Sequence, residues 1–394
     1  MQCLYTITSY PPAMGGAQIH HHSLIKQLKA RHSIQVLSHW DSNRTDWLLG
    51  TTLKAPSISR DYWIEGIPVH RIGLSNWDKL KLTPYIPIYY PLMSIALSAI
   101  SKLLQEHLHE YARKADLIHN VRIGREGLSH ASLQLARHFD VPFILTPVHH
   151  PRWVGWRYHE YIQIYQQADA VIVLTQAEKK NLIRLGVQES RIHVTGIAPV
   201  LATQADGNDF RKKHNIQGPI VLFLGQHYPY KGYRQLLEAA PLVWNRFPDT
   251  NFVFIGPAVQ KSEQVFTQFS DPRIYRLGQV NLQEKTNALK ACTLLCLPSS
   301  QESFGGVYTE AWSFGKPVIG CNIPAVSDVI TDGVDGYLLD QVSEPIAECI
   351  SYLLLHPDKA EEMGLSGKNK VKSKYAWSRL AEMTEAVYRH VLDI

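Results

Sequence analysis

The chain has 394 residues, 45% of them hydrophobic and 19% charged, which is more than one ordinary domain holds and predicts two globular units, each with its own core. A net charge of +5 suits phosphate-bearing ligands or an anionic membrane surface, but with no run of Lys and Arg it gives no argument for nucleic acid as a partner. Five cysteines (Cys3, Cys292, Cys296, Cys321, Cys349) are odd in number, stand mostly in apolar contexts and form no Cys-x-x-Cys pair, which argues for reduced thiols, a cytoplasmic location and no cysteine-held metal.

The opening MQCLYTITSY has neither a basic leader nor a long apolar core and reads as a first β-strand, not a signal peptide. No stretch reaches the roughly 18 uninterrupted apolar residues of a membrane-spanning helix. A strand at Cys3–Thr8, a loop ending in Gly15 and Gly16, a helix at Ala17–Arg31 and a strand at Ile34–Ser38 open a doubly wound domain. The loop is not a dinucleotide fingerprint, since Gly-x-Gly-x-x-Gly is absent, and there is no Walker loop. His20, His21 and His22 occupy successive helical positions, each turned by about 100° from the last, so at most one is expected to face the site and a triple-His metal site is not expected.

From residue 40 to 100 the pattern is weak. Trp47, Trp63 and Trp77 are scattered through polar sequence, and the segment Pro84–Ile100 gathers Tyr and Ile around three prolines before turning helical. Two readings fit: an aromatic surface facing a lipid or membrane interface, or a packed loop and a buried helix. Ser94, Ser98 and Ser101 give no basic face, which favours burial. Strands are predicted at Asp116–His119, Pro142–Thr146, Ala170–Leu174 and Arg191–Val194 with helices between them, a parallel-sheet alternation, and Thr175 is an N-cap. Periodicity is lost around Pro199–Asp209, as in a linker. The expected domains are therefore 1–200 and 201–374, followed by a last helix in 375–394 with an apolar stripe of Leu380, Met383, Val387 and Val391. The second domain opens with a strand at Pro219–Leu224, the loop GQHYPYKG and a helix at Tyr233–Asn245, and strands at Asn251–Ile255 and Ile274–Leu277 follow.

The most informative stretch is LLCLPSSQESFGGVYTEAWSFGKP, Leu294 to Pro317, which reads as strand, polar loop and helix. Ligands of open parallel sheets bind beyond the carboxyl ends of strands, where this loop lies. Glu302 stands on the loop and Glu310 stands eight positions on, two turns into the helix. Phe304, Gly305, Gly306 and Val307 between them form the helix N-terminus, whose unpaired amides and dipole favour an anion. Amides flanked by two acids suit a ligand with phosphate and hydroxyl groups, as in a nucleotide sugar.

This segment resembles the donor-site signature of family 4 retaining glycosyltransferases (glycosyl transferases group 1), in which two Glu separated by seven residues flank a Phe-Gly pair. The resemblance extends to AVSDVITDGVDGYLL at Ala325–Leu339, to Lys231-Gly232, to Gly15-Gly16 and to the last helix, so it spans most of the chain. It implies an α/β GT-B fold, two Rossmann-like doubly wound domains facing a cleft with the C-terminal helix crossing back to the first. It implies retaining transfer of a hexosyl group from a UDP- or GDP-sugar to a hydroxyl of a lipid, saccharide or small metabolite, with no cofactor beyond the donor. Gly15 and Gly16 would then admit a backbone amide to the diphosphate, and His149 or His150, at the end of the strand Pro142–Thr146, would lie near the sugar. Lys231 would contact donor phosphates. The family usually places Arg where this chain has Gln226, with Arg234 or Arg152 as candidate replacements. The main chain at Gln279 and Val280 would hold the nucleobase, Glu310 the ribose hydroxyls, and Glu302 the sugar hydroxyls or positive charge developing at the anomeric carbon. A peripheral contact of the first domain with the inner membrane face fits the same reading. Competing readings are an epimerase on the same fold and a non-catalytic nucleotide-sugar-binding protein, the latter supported by Gln226.

No Asp-x-Asp triplet is present to hold a divalent ion on a diphosphate, so Lys231, backbone amides and helix dipoles must meet that charge. Activity is therefore expected to survive excess EDTA and to gain little from magnesium or manganese. Complete loss in EDTA with recovery on adding either ion would contradict this.

Overall fold

Near-continuous apolar runs of four to eight residues make interior parallel strands, buried on both faces. The computed structural model describes residues 1–12, 16–40, 47–122, 127–150, 153–259 and 261–394, which divide into two units, 1–196 with 377–394 and 197–376. The sequence reading sets the boundaries at 200 and 374 instead. No helix among the described residues is long and apolar enough to cross a membrane.

In the first unit the strands are β1 (Gln2–Ser9), β2 (Ser33–Trp40), β3 (Arg60–Ile64), β4 (Ile67–Arg71), β5 (Leu117–Val121), β6 (Phe143–Thr146), β7 (Ala170–Val173) and β8 (Ile192–Val194), in the spatial order β3-β4-β2-β1-β5-β6-β7-β8. All neighbours are parallel except the hairpin β3–β4, which turns at Glu65 and Gly66, both at positive φ (47° and 72°) as a tight hairpin turn requires. Sequence reading misses this hairpin because the turn is not Asn-Gly or Asp-Gly and β3 shows no clean alternation of burial. The order changes direction at β1, so the loops after β1 and β5 lie at the switch point. The segment of disputed character splits by face: the helix Met93–Ala112 buries Met93, Ala96, Leu97 and Ile100, while Leu92 and Ile95 stay exposed.

The second unit has β9 (Ile220–Leu224), β10 (Asn251–Ile255), β11 (Ile274–Gly278), β12 (Leu294–Leu297), β13 (Val318–Cys321) and β14 (Gly336–Leu339), in the order β11-β10-β9-β12-β13-β14, all parallel. Its switch point lies between β9 and β12, which pair Val221 with Leu294 and Leu222 with Leu295. All five cysteines are free, and only Cys349 is not fully buried.

The last helix, Trp377–Val391, belongs to the first unit and packs on the helix Gly16–Leu28. Its buried face includes Leu380, Ala381, Thr384, Val387 and Tyr388. Tyr388 Oη bonds the hydroxyl of Tyr5 and lies 2.6 Å from His119 Nδ1, and His119 Nε2 lies 2.8 Å from Thr146 Oγ1. All three residues of the His triplet are buried. His20 and His21 meet edge to face (ring centroids 5.1 Å apart); beyond that contact His20 lies against Trp377 (5.4 Å) and His21 near His119 (6.2 Å), while His22 Nδ1 lies 2.8 Å from the Tyr10 hydroxyl.

Burial pushes His20, His39 and His149 down to about 4 and His119 to about 3, from an ordinary 6.5. Between those values the unfolded chain binds more protons than the folded one. The stability conferred by the neutral rings is therefore present above pH 6.5 and lost as pH falls towards 4. We expect the urea midpoint of unfolding to drop steadily between pH 7 and pH 5. A flat midpoint would show that the buried rings relax or hydrate in the folded state.

Candidate active site

At the carboxyl end of β9 the chain turns through a short 3-10 helix, Pro229–Lys231, into Gly232 at φ 79°. A Cβ on Gly232 would lie 2.3 Å from the carbonyl oxygen of Pro298, so only glycine allows the loops after β9 and β12 to touch here. The Gln341 amide fastens both loops, donating to the Tyr230 carbonyl at 2.8 Å and to the Pro298 carbonyl at 2.7 Å, and Ser300 N–H also donates to Tyr230 O at 2.8 Å. This juxtaposition brings together two residues singled out from sequence. Lys231 Nζ is ion-paired with Glu302 Oε1, the two side chains being only 18% and 10% exposed, and the ammonium also lies 5.6 Å from the Tyr230 ring centroid.

The loop after β12 then enters the helix Gly306–Ser313 through Gly305, at φ 83°. A Cβ there would sit 2.2 Å from the Tyr308 ring, whose hydroxyl donates to the Leu297 carbonyl at 2.9 Å and anchors the helix start to its strand. Phe304 is buried edge-on against Tyr375, with centroids 5.3 Å apart, so it serves packing while Val307 stays partly exposed on the first turn. Glu310 is buried. Its Oε1 accepts from Lys285 Nζ at 2.6 Å, and Lys285 also donates to the Val200 carbonyl at 2.8 Å, while Oε2 has no hydrogen-bond partner. A buried carboxylate oxygen without a partner costs about 1–3 kcal/mol, a cost a ligand hydroxyl would relieve.

The remaining expected positions are more scattered. Gln226 is exposed, on the loop where a Cβ on Gly256 would meet the Gly225 carbonyl at 1.9 Å, so the loops after β9 and β10 are also in contact. Arg234 is spent on Glu238 (2.9 Å) along an exposed helix face, and Arg152 lies outside the described residues. Val280 follows the end of β11 and is half-buried.

In the first unit Gly15 lies outside the described residues, whereas Gly16 starts its helix with nothing within 4 Å of a Cβ placed on it. No packing within the unit demands glycine there. His149 follows β6 after Val148, which has φ 48°, and is buried with neither ring nitrogen hydrogen-bonded. Burial, with Arg122 and His150 nearby, keeps it neutral. His150 retains partial exposure, its ring 4.7 Å from that of Trp153. The loop is held by Glu178, whose carboxylate accepts from His149 N–H at 2.7 Å and Leu174 N–H at 2.9 Å. Burial pushes that carboxyl up to about 7, against the two amides. Thr175 caps the helix Gln176–Arg184, accepting from Glu178 N–H at 3.1 Å.

Sequence reading missed Lys285, Gln341, Glu178 and Arg122. Only Glu178 carried a local signal, the capping spacing Thr175-x-x-Glu178. Arg122, 2% exposed at the end of β5, donates to the Tyr165 hydroxyl at 2.8 Å and lies over the Trp153 and Tyr161 rings at 4.8 and 4.7 Å.

Two doubly wound units of this topology are shared with solved GT-B structures. The chain superposes on Anabaena HepE in complex with UDP with a TM-score of 0.76 at 17% identity, covering 99% of this chain and 100% of that one. For sucrose-phosphate synthase from Thermosynechococcus elongatus the TM-score is 0.75 at 19% identity, covering 100% of both. The fold is therefore that of the GT-B glycosyltransferases. Glycosyl transferases group 1 matches residues 206–370 and Glycosyl transferase 4-like domain matches residues 15–198, and the chain belongs to this glycosyltransferase family. Among relatives, Phosphatidyl-myo-inositol mannosyltransferase of Mycobacterium tuberculosis is 33% identical over 184 residues, 44% of this chain and 48% of that protein. Spore coat protein SA of Bacillus subtilis is 30% identical over 194 residues, 43% of this chain. These matches span about half the length of each relative, 48% in both cases.

Removing the Lys285 ammonium would leave Glu310 buried without a counter-charge. Because Lys285 is 22% exposed, we expect Lys285→Met to destabilise the second unit by about 2 kcal/mol, less than for a fully buried pair. Adding Glu310→Gln to that variant should restore most of the loss in urea unfolding, and a double variant no more stable than the single one would contradict the pairing.

Proposed function

We propose that this protein is a retaining glycosyltransferase that moves a hexosyl group from a nucleotide-diphosphate sugar to a hydroxyl acceptor, without a metal ion. The observation that carries the reading is the switch point of the second unit, where the Lys231–Glu302 pair and the partnerless Oε2 of Glu310 flank a helix that starts at Gly305. A lysine ammonium has three donors, so Lys231 can keep Glu302 and still bind a phosphate oxygen. In this reading Lys231, with the amides of Phe304, Gly305, Gly306 and Val307, stabilises the diphosphate as it leaves. Glu310 Oε2 accepts a ribose hydroxyl, and Glu302 faces the sugar and its developing positive charge. In this reading Gly16, as the family resemblance implies, also meets the diphosphate; within its own unit nothing lies within 4 Å of a Cβ placed on it. The main chain at Gln279 and Val280 borders the nucleobase, Gln226 stands at the phosphate position where the family usually has Arg, and His149 or His150 borders the sugar. HepE has been crystallised with UDP-glucose, which supports a uridine donor here. The acceptor hydroxyl then belongs to a lipid, a saccharide or a small metabolite, a lipid acceptor entailing peripheral membrane contact.

The test is nucleotide release from UDP- and GDP-sugars, measured with and without candidate acceptors. Glu310→Ala is expected to weaken donor binding by roughly 1.5–3 kcal/mol in calorimetry, the loss of a charged hydrogen bond. Lys231→Ala should cut turnover severely while leaving the fold intact by circular dichroism. Unchanged donor affinity in the first variant, or wild-type turnover in the second, would remove that residue from the site.

A further inference from the structure

In the first unit, aromatic rings form a continuous track that starts at His149. Its ring meets that of Trp153 (centroids 6.1 Å apart), which stacks nearly parallel on Tyr158 (6.5 Å, 15°), which in turn leads to Tyr161 (6.3 Å). The Tyr161 hydroxyl bonds that of Tyr89, and Tyr89 is followed by Tyr90 (5.5 Å) and Trp156 (6.5 Å). The inner end is buried, while Trp153, Tyr158 and Tyr90 are half-exposed and Trp156 is 63% exposed. Beside the outer end, the guanidinium of Arg157 lies 5.1 Å from the Tyr90 ring and 5.2 Å from the Trp156 ring. No carboxylate among the described residues pairs with it. Gly155 (φ 88°) turns the chain immediately before Trp156 and has no atom within 4 Å of a Cβ placed on it.

We propose that this track is the acceptor subsite and that the acceptor is a saccharide bearing an anionic substituent, with a sugar ring lying on Trp156 and the negative charge on Arg157. The inference rests on the proposed function, which puts the sugar being transferred near His149. Sugar rings present faces of polarised C–H bonds that pack on aromatic rings, and an arginine held against aromatic faces keeps its charge available for an anion. A membrane is the weaker occupant. Trp153, Tyr158 and Tyr90 are set into the surface and do not project from it, and the exposed apolar side chains on these segments, Trp156, Val154, Leu92 and Ile95, are few for stable interfacial insertion.

The experiment is a calorimetric titration, without donor, of a panel of neutral and uronate-bearing oligosaccharides into wild type, Trp156→Ala, Trp156→Phe and Arg157→Gln. Trp63→Ala serves as the control, because Trp63 is a 73% exposed tryptophan on the β3–β4 hairpin, outside the track. Uronate-bearing members are expected to bind best. Trp156→Ala should weaken them by roughly tenfold, the effect of losing one stacked ring, with Trp156→Phe recovering part of it. Arg157→Gln should abolish the preference for the charged members, and Trp63→Ala should match wild type. No binding by any saccharide, equal binding by Trp156→Ala and wild type, or co-sedimentation with equimolar phosphatidylglycerol and phosphatidylcholine vesicles that Trp156→Ala removes would each overturn the proposal. Wild-type donor binding, measured separately, reports on the proposed function alone, so failure of either reading is seen by itself.

Discussion

The contact between Gly232 and the Pro298 carbonyl governs the chemistry of the second unit. Parallel strands β9 and β12 are neighbours at the switch point, but adjacency alone leaves their outgoing loops free to diverge. Left-handed Gly232 lets the loops touch, and the Gln341 amide, bridging a carbonyl of each, keeps them there. Lys231 and Glu302 are thereby fixed opposite one another with little solvent between them. Both charges of such a pair are largely desolvated, so its net contribution to stability is small, and its value lies in holding a cation at a defined place. A bound diphosphate would find that cation already desolvated and positioned, with no side-chain ordering left to do.

How much of this was legible in the sequence depended on whether a feature is local. The interior strands showed as apolar runs, and the structure reproduces β1, β2, β5 to β7 and β9 to β12 within about two residues at each end. The hairpin β3–β4 did not show, because an edge strand carrying Arg60, Asp61 and an exposed Trp63 has no apolar face to betray it. The same division runs through the site. The spacing of Glu302 and Glu310 around Gly305-Gly306 is a local pattern and was read directly. Their lysine partners lie 71 and 25 residues away, and Gln341 lies 111 residues from Tyr230. Those pairings exist because β9 adjoins β12 and because the helix after β11 runs past Glu310, facts of strand order that no window of sequence contains.

The loop bearing His149 in the first unit is braced from two directions. Thr146, three residues before it, bonds His119, which is held by Tyr388 of the C-terminal helix. From the other side Glu178 binds the His149 amide itself. Both braces are buried polar groups satisfied by other protein groups, which makes them specific as well as costly to disturb. The C-terminal helix is therefore more than an apolar stripe on the surface of this unit: through one tyrosine hydroxyl it is linked to the strand end that presents the histidine pair.

The surroundings of the candidate site residues handle charge differently in the two units. Around His149 the first unit keeps a buried imidazole neutral, and among the described residues the cations Arg122 and Arg157 of that region lie against aromatic faces. At the switch point of the second unit the carboxylates of Glu302 and Glu310 each meet a lysine, as the buried Asp335 meets Lys370 further along the chain. The aromatic environment discriminates by shape and by hydroxyl geometry, with the Arg157 guanidinium at its outer end as the charge it presents. A paired, charged environment discriminates by counter-charge, because a phosphate can share the lysine while an uncharged group gains nothing from it. Under the proposed reading this difference would suit a hydroxyl-bearing saccharide at the first unit, held mainly by ring stacking, and a nucleotide diphosphate at the second, held by a lysine that a phosphate can share.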